Sequence, residues 1–132
     1  MTRHQSRESA FVLVFEKMFN SELSLDDMIT YARQAGSFEV DSFAESTAKG
    51  VEENKEEIDV IINENLVKWA PDRIPKVTRA MLRVAVYEIK YTSVPRAVIA
   101  NEAVEIVKTY STDKDASFVN GVISSVLKKE NA

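Results

Sequence analysis

The stretch FVNGVISSVL (residues 118–127) carries two conflicting local signals. Asn-Gly is the strongest short-range mark of a two-residue hairpin turn. The apolar residues around it are Phe118, Val119, Val122, Ile123, Val126 and Leu127, which recur at i, i+1, i+4, i+5, i+8 and i+9, a helical stripe. A hairpin would leave two apolar residues on one arm and Ser-Ser on the other. The spacing therefore predicts a helix that keeps Gly121 at a cost of about 1 kcal/mol relative to Ala. Two readings of that glycine stand side by side. Either it allows close packing of a neighbour, or it and Ser125, one and two turns from Phe118, leave the strip beside that ring uncrowded.

The helical reading extends over the whole chain. Phe11, Val14, Phe15 and Met18 mark a first helix over residues 3–20, widened by Leu13 and Phe19. Ser24–Asp27 has the pattern of a capping box, opening a second helix that Gly36 closes in a left-handed conformation. Asp41 caps a third helix to about Asn54, and a fourth runs from Lys55 to Trp69 with Ile58, Ile61, Ile62, Leu66 and Trp69 inward. Pro71 and Pro75 bracket a break. A fifth helix covers Lys76–Tyr91, Val94-Pro95 ends it, a sixth spans Ile99–Tyr110, and Thr112–Asp115 caps the seventh. No segment alternates strictly and none repeats. The expected class is all-α, with about seven helices.

Composition removes several functions. The 132 residues fit a single domain spanning 1–132. There is no cysteine, hence no disulfide or thiolate site. Ala10–Phe15 is too short to span a bilayer and is flanked by charges, so a cytoplasmic protein is the default. The one histidine, His4, lies near the terminus, and no Glu-x-x-His pair is present for a di-metal bundle. Glycine occurs only at 36, 50 and 121, so no phosphate-binding loop can be built. No metal, no cofactor and no catalysis are expected.

The net charge of −4 argues against non-specific nucleic-acid binding unless the cations are clustered. They are clustered on the fifth helix. At about 100° per residue, Lys76, Arg79, Arg83, Tyr87 and Lys90 fall within an arc of roughly 80°, and no acid of that helix interrupts it. Cations hold phosphates and an aromatic ring stacks on an unpaired base; the alternative is the ordinary polar face of an amphipathic helix. Arg3 and Arg7 lie one turn apart, with His4 beside them, where positive charge opposes the helix dipole and a bound anion would relieve the cost; the alternative is a frayed basic end. Glu52, Glu53, Glu56 and Glu57 form either a solvated acidic face or a patch for a basic partner.

The stretches KWAPDRIPKVTRAMLRVAVYEIKY (68–91), VPRAVIANEAVEIVKTY (94–110) and FVNG (118–121), with RHQSRE (3–8) at the N-terminus, resemble the NusB family of bacterial transcription antitermination factors. The resemblance implies two small helical bundles packed together. It implies binding of boxA RNA, a single-stranded element, together with NusE, a small-subunit ribosomal protein, and assembly on RNA polymerase, notably at ribosomal RNA operons. Carried over by position, Arg3, Arg7, Arg83 and Phe118 belong to the RNA surface; the charge map adds His4, Lys76, Arg79 and Lys114. Glu52, Glu53, Glu56 and Glu57 are the candidate contacts to the basic partner. His4 and Gln5 stand where the family often has arginines, and each lost phosphate contact shallows the salt dependence by about 1. Modest affinity for RNA alone and dependence on the protein partner follow. Two other functions compete: a purely protein-binding helical adaptor, and a NusB-like module assisting ribosomal RNA modification.

Overall fold

The computed structural model describes residues 1–66 and 69–130. It is all-helical among the described residues: α1 Arg3–Lys17, α2 Leu25–Ala35, α3 Ser42–Glu53, α4 Lys55–Glu64, a 3-10 turn at Pro71–Arg73, α5 Lys76–Tyr91, α6 Arg96–Tyr110 and α7 Asp113–Glu130. Helices α1, α2 and α3 pack as one bundle and α4 to α7 as a second, with α5 also against α1 and α3. The buried residues of both join in one core. Helix α5 earns its central place from its sequence. Ala80, Met81, Leu82, Val84, Ala85 and Val86 are all buried, so only a narrow strip is left for polar side chains.

The helix ends follow local chemistry. Ser24 accepts the Asp27 N–H at 3.1 Å, Asp41 the Ala44 N–H at 2.9 Å and Thr112 the Asp115 N–H at 3.1 Å. Gly36 closes α2 at φ 66°, its N–H on the Ala32 carbonyl. A reciprocal capping box, not expected from the sequence, opens α1: Thr2 accepts from the Gln5 N–H and the Gln5 side chain accepts from the Thr2 N–H. Asp41 also receives the Ser6 hydroxyl, linking α1 to α3. That hydroxyl and the Ala44 N–H hold its carboxyl below the usual range.

Three expectations need correction. Helix α6 begins at Arg96, nearly one turn before Ile99, because Pro95 at its N-cap, with φ −56°, turns the chain directly into the helix. Helix α1 ends at Lys17, because the Asn20 side chain donates to the Glu16 carbonyl at 2.9 Å and turns the chain. Helix α4 ends at Glu64, short of Trp69. Asn65 caps it, donating from its side chain to the Ile61 carbonyl at 2.7 Å and accepting the Ser125 hydroxyl at 2.6 Å. Residues 67 and 68 of the expected helix lie outside the described residues. Trp69, read as inward, is 44% exposed.

The helical reading of 118–127 holds, and Asn120-Gly121 lies within α7. Close packing does not explain Gly121, since a Cβ there would meet nothing within 4 Å. Gly50 is the opposite case. A Cβ on it would lie 2.3–2.5 Å from the Tyr87 ring, so α3 and α5 approach closely only without a side chain at that point. Gly50→Ala is expected to lower stability by about 1–3 kcal/mol through overpacking, whereas Gly121→Ala should raise it by up to about 1 kcal/mol; urea unfolding of the two variants checks the contrast.

Tyr110 closes the end of α6 onto α1. Its hydroxyl donates to Glu8 at 2.7 Å and its ring lies 5.1 Å from that of Phe11. Burial and the Glu8 hydrogen bond push the phenol up to about 12. A folded value above the unfolded value of about 10 means that the contact stabilises fully below pH ~10 and is lost as pH rises through the folded value. Tyr110→Phe should reduce the alkaline limb of a plot of unfolding free energy against pH while leaving the acid limb in place.

Candidate nucleic-acid interface

The expected basic residues fall into two groups, those that face solvent and those engaged inside the protein. Arg7 is the clearest case of the second. Its guanidinium, 2% exposed, forks onto Glu88 of α5 through Nε and Nη2 at 2.7 and 2.9 Å and reaches Glu102 of α6 through Nη1 at 2.8 Å. Burial opposes its charge, but Glu88 and Glu102 outweigh burial and hold its pKa above the ordinary value. The anion expected to relieve the cost of basic residues at this helix start is therefore supplied from inside the chain. His4 shares the cluster, its Nδ1 on the second oxygen of Glu102. Arg3 is exposed and lies 4.1 Å from the centre of the Phe43 ring, a cation–π contact that leaves donors free.

The strip on α5 is likewise not a free row of cations. No acid of α5 interrupts it, but Asp59 of α4 does. Arg83 donates to both oxygens of Asp59 at 2.9 and 2.8 Å. Arg79 reaches the same carboxylate at 3.3 Å and also donates to Asn63 and to the Pro71 carbonyl, both at 2.9 Å. Their side chains are 12% and 13% exposed. Tyr87 sits against Gly50 and beside Tyr91, ring centres 5.5 Å apart, and Lys90 faces Glu130 at 3.6 Å. Lys76 is exposed, its ammonium 4.5 Å from the centre of the Phe19 ring.

Helix α7 carries the other two candidates, Lys114 and Phe118. Lys114 is exposed, and among the described residues it forms no ion pair. Phe118 is half-buried and meets Trp69 edge to face, centres 6.2 Å apart at 82°. Trp69 therefore adds an exposed indole that the sequence reading had placed in the core. Its position just before Pro71 was the available signal, because a helix rarely runs unbroken into such a segment. Gly121 leaves open space on the same helix, while Ser125 is tied to Asn65. The small strip beside Phe118 is thus half open and half structural.

The four acids lie where α3 meets α4. Glu53, Glu56 and Glu57 are exposed, Glu57 accepting the Tyr91 hydroxyl at 2.8 Å, and half-buried Glu52 faces Lys55 at 3.3 Å. They remain an available acidic face, separate in the chain from the α7 surface. No three His, Asp or Glu side chains among the described residues converge as metal ligands, and no helix of the described residues is long and apolar enough to cross a membrane.

The buried ion cluster gives a direct test. Arg7→Ala leaves Glu88 buried without its partner and is expected to cost about 3–5 kcal/mol of stability. Pairing Arg7→Met with Glu88→Met should recover most of the loss, as measured by urea unfolding of the single and double variants. Additive losses would mean that the two side chains are not coupled.

The family model described as the NusB family matches residues 4–128. The transcription antitermination protein NusB of Listeria monocytogenes serotype 4b (strain CLIP80459) is 41% identical over 131 residues, covering 98% of this chain and 99% of that protein. Among solved structures, the antitermination factors NusB and NusE in complex with double-stranded RNA align with a TM-score of 0.84 at 27% identity, covering 98% of this chain and 99% of that one. T. maritima NusB aligns with a TM-score of 0.83 at 29% identity over 97% of this chain and 92% of that one.

Proposed function

The chain belongs to the NusB family, and from that premise we propose that it is a transcription antitermination factor that binds RNA together with a NusE protein. The observation that carries this reading is the likeness, over 98% of the chain, to a structure in which NusB and NusE are held with RNA. The finer parts of the proposal are that the RNA is boxA-type and unpaired where the protein reads it, that the pair joins an antitermination complex on RNA polymerase in the cytoplasm, and that ribosomal RNA operons are its main setting. The role is that of an adaptor without catalysis.

On this reading the candidate residues take different parts. Arg3, Lys76, Lys114 and Phe118 reach solvent and form the RNA surface, with His4 at its margin. Phe118 and Trp69 offer two ring edges and faces to a base, a contact worth about 1–3 kcal/mol per stacked base. Arg7, Arg79 and Arg83 support that surface from inside through their carboxylates. The acidic corner of Glu52, Glu53, Glu56 and Glu57 is the face offered to a basic partner. The protein-only adaptor reading relied on the α5 strip meeting an acidic protein, and two of its four cations, Arg79 and Arg83, are already engaged by Asp59.

Titration of a labelled boxA-type RNA and a scrambled control, with and without the cognate NusE at two salt concentrations, tests the proposal. The partner should tighten binding at least about tenfold, a coupling of about 1.4 kcal/mol, for the boxA-type RNA alone. Phe118→Ala should weaken binding at both salt concentrations, while Lys114→Ala should shallow the salt slope by about 1. Equal binding of both RNAs, unaffected by NusE, would leave only the fold in common with the family.

A further inference from the structure

Helices α6 and α7 enclose a groove of about 460 Å³, lined by Asn101, Glu105 and Lys108 from one side and Asp113, Ser117 and Asn120 from the other. It lies on the exposed side of α7. At about 100° per residue, Asn120 and Phe118 stand on opposite edges of that side, with Ser117, Gly121 and Lys114 between them. Asn101 and Asn120 are both exposed. Asn is a poor residue for a helix interior. Its usual compensation is a local hydrogen bond, yet among the described residues neither amide makes one; the groove's other polar groups are also free of each other. Gly121, next to Asn120, is a second unfavourable choice with nothing near its missing Cβ. Two weak helix formers, Asn101 and Asn120, therefore line one open groove, and the fold uses neither.

The chemistry of the lining selects the ligand. Each amide offers two donors and an acceptor, the arrangement that pairs with the edge of a nucleobase. Asp113 and Glu105 accept hydrogen bonds from exocyclic amino groups and repel phosphate, and together they outweigh the single cation of the lining, Lys108, so the groove suits a base better than the backbone. Lys114 and the open ground over Gly121 leave room for the backbone to cross α7. We infer that the α6–α7 groove is a base-reading site, in which Asn101 and Asn120 hydrogen-bond the edge of one unpaired RNA base while the neighbouring chain crosses α7 to the Phe118–Trp69 pair. This inference rests on the RNA-binding reading above and adds the residues that distinguish one base from another.

The test uses the full chain with its NusE partner and the same labelled RNA, together with copies substituted at one base at a time. Asn101→Ala and Asn120→Ala are expected to keep or slightly raise the thermal midpoint, since both side chains are exposed and Ala is the better helix former. Each should weaken binding of the parent RNA about tenfold. Each should also erase the discrimination at one and the same RNA position, with the salt slope unchanged. If both variants bind the parent and every substituted RNA as the wild type does, while Phe118→Ala still weakens binding, the groove assignment is wrong and the RNA-binding reading survives. Weaker binding spread evenly over all the RNAs, or a loss of NusE affinity measured without RNA, would also overturn it, the latter by giving the groove to the protein partner. If the wild type binds none of the RNAs above the scrambled control, the function itself fails and the groove assignment goes with it.

Discussion

The fork of Arg7 onto Glu88, with Glu102 on its third nitrogen, is the constraint on which the arrangement of the helices depends. The three side chains come from α1, α5 and α6, so one buried guanidinium ties the first bundle to the second. Its value lies in direction rather than in net energy. A buried ion pair seldom outweighs the cost of drying both charges, but a missing partner is heavily penalised. Apolar side chains such as Leu13, Val84 and Val107 can be repacked in more than one register, because the hydrophobic effect has no direction. A bidentate Arg–carboxylate contact has one geometry. It therefore selects the rotation of α1 about its axis, and with it the side on which Arg3 emerges.

The same logic operates on α5. Asp59 of α4 answers Arg79 and Arg83, and the bare backbone at Gly50 admits the Tyr87 ring. Each neighbour of α5 is positioned by a specific contact laid over a common apolar core. The cost of this economy falls on the surface. Charges that a helical wheel assigns to solvent are spent on holding helices together, and a chain of net charge −4 has few to spare.

What the sequence made legible followed from local chemistry. The capping side chains Ser24, Asp41 and Thr112, the left-handed Gly36 and the prolines at 71, 75 and 95 act within a few residues of themselves, and the helices they delimit were found. The stripe of Val119, Val122, Ile123 and Val126 overrode the Asn-Gly signal for the same reason, because burial of a whole face outweighs one turn preference. What was not legible depended on partners distant in the chain. Arg7 and Glu88 are 81 positions apart, and Arg83 and Asp59 are 24 apart. A charge map drawn on single helices cannot tell a cation for phosphate from a cation for a carboxylate. The end of α4 was missed because Asn65 stops it by hydrogen bonds, one of them to Ser125 on another helix, without Gly or Pro. Trp69 was lost with it.

This division bears on how such a protein would hold RNA. Binding that rests on many phosphate contacts is strong, dependent on salt and indifferent to sequence. On the proposed function, with Arg7, Arg79 and Arg83 paired to carboxylates of the same chain, that component would be small. The proposed surface would then rest on the Phe118–Trp69 pair, scattered cations such as Arg3, Lys76 and Lys114, and the amides of the α6–α7 groove. Rings and amides act over short distances and only on bases presented in register. A flexible RNA loses conformational entropy to reach that register, and few long-range charges here help to offset the loss. A second protein that orders the same RNA removes part of the cost, which appears as positive coupling between protein and RNA binding. On the proposed function, dependence on the partner is thus a consequence of the internal ion pairs: the arginines that fix the fold are the ones withdrawn from the phosphates.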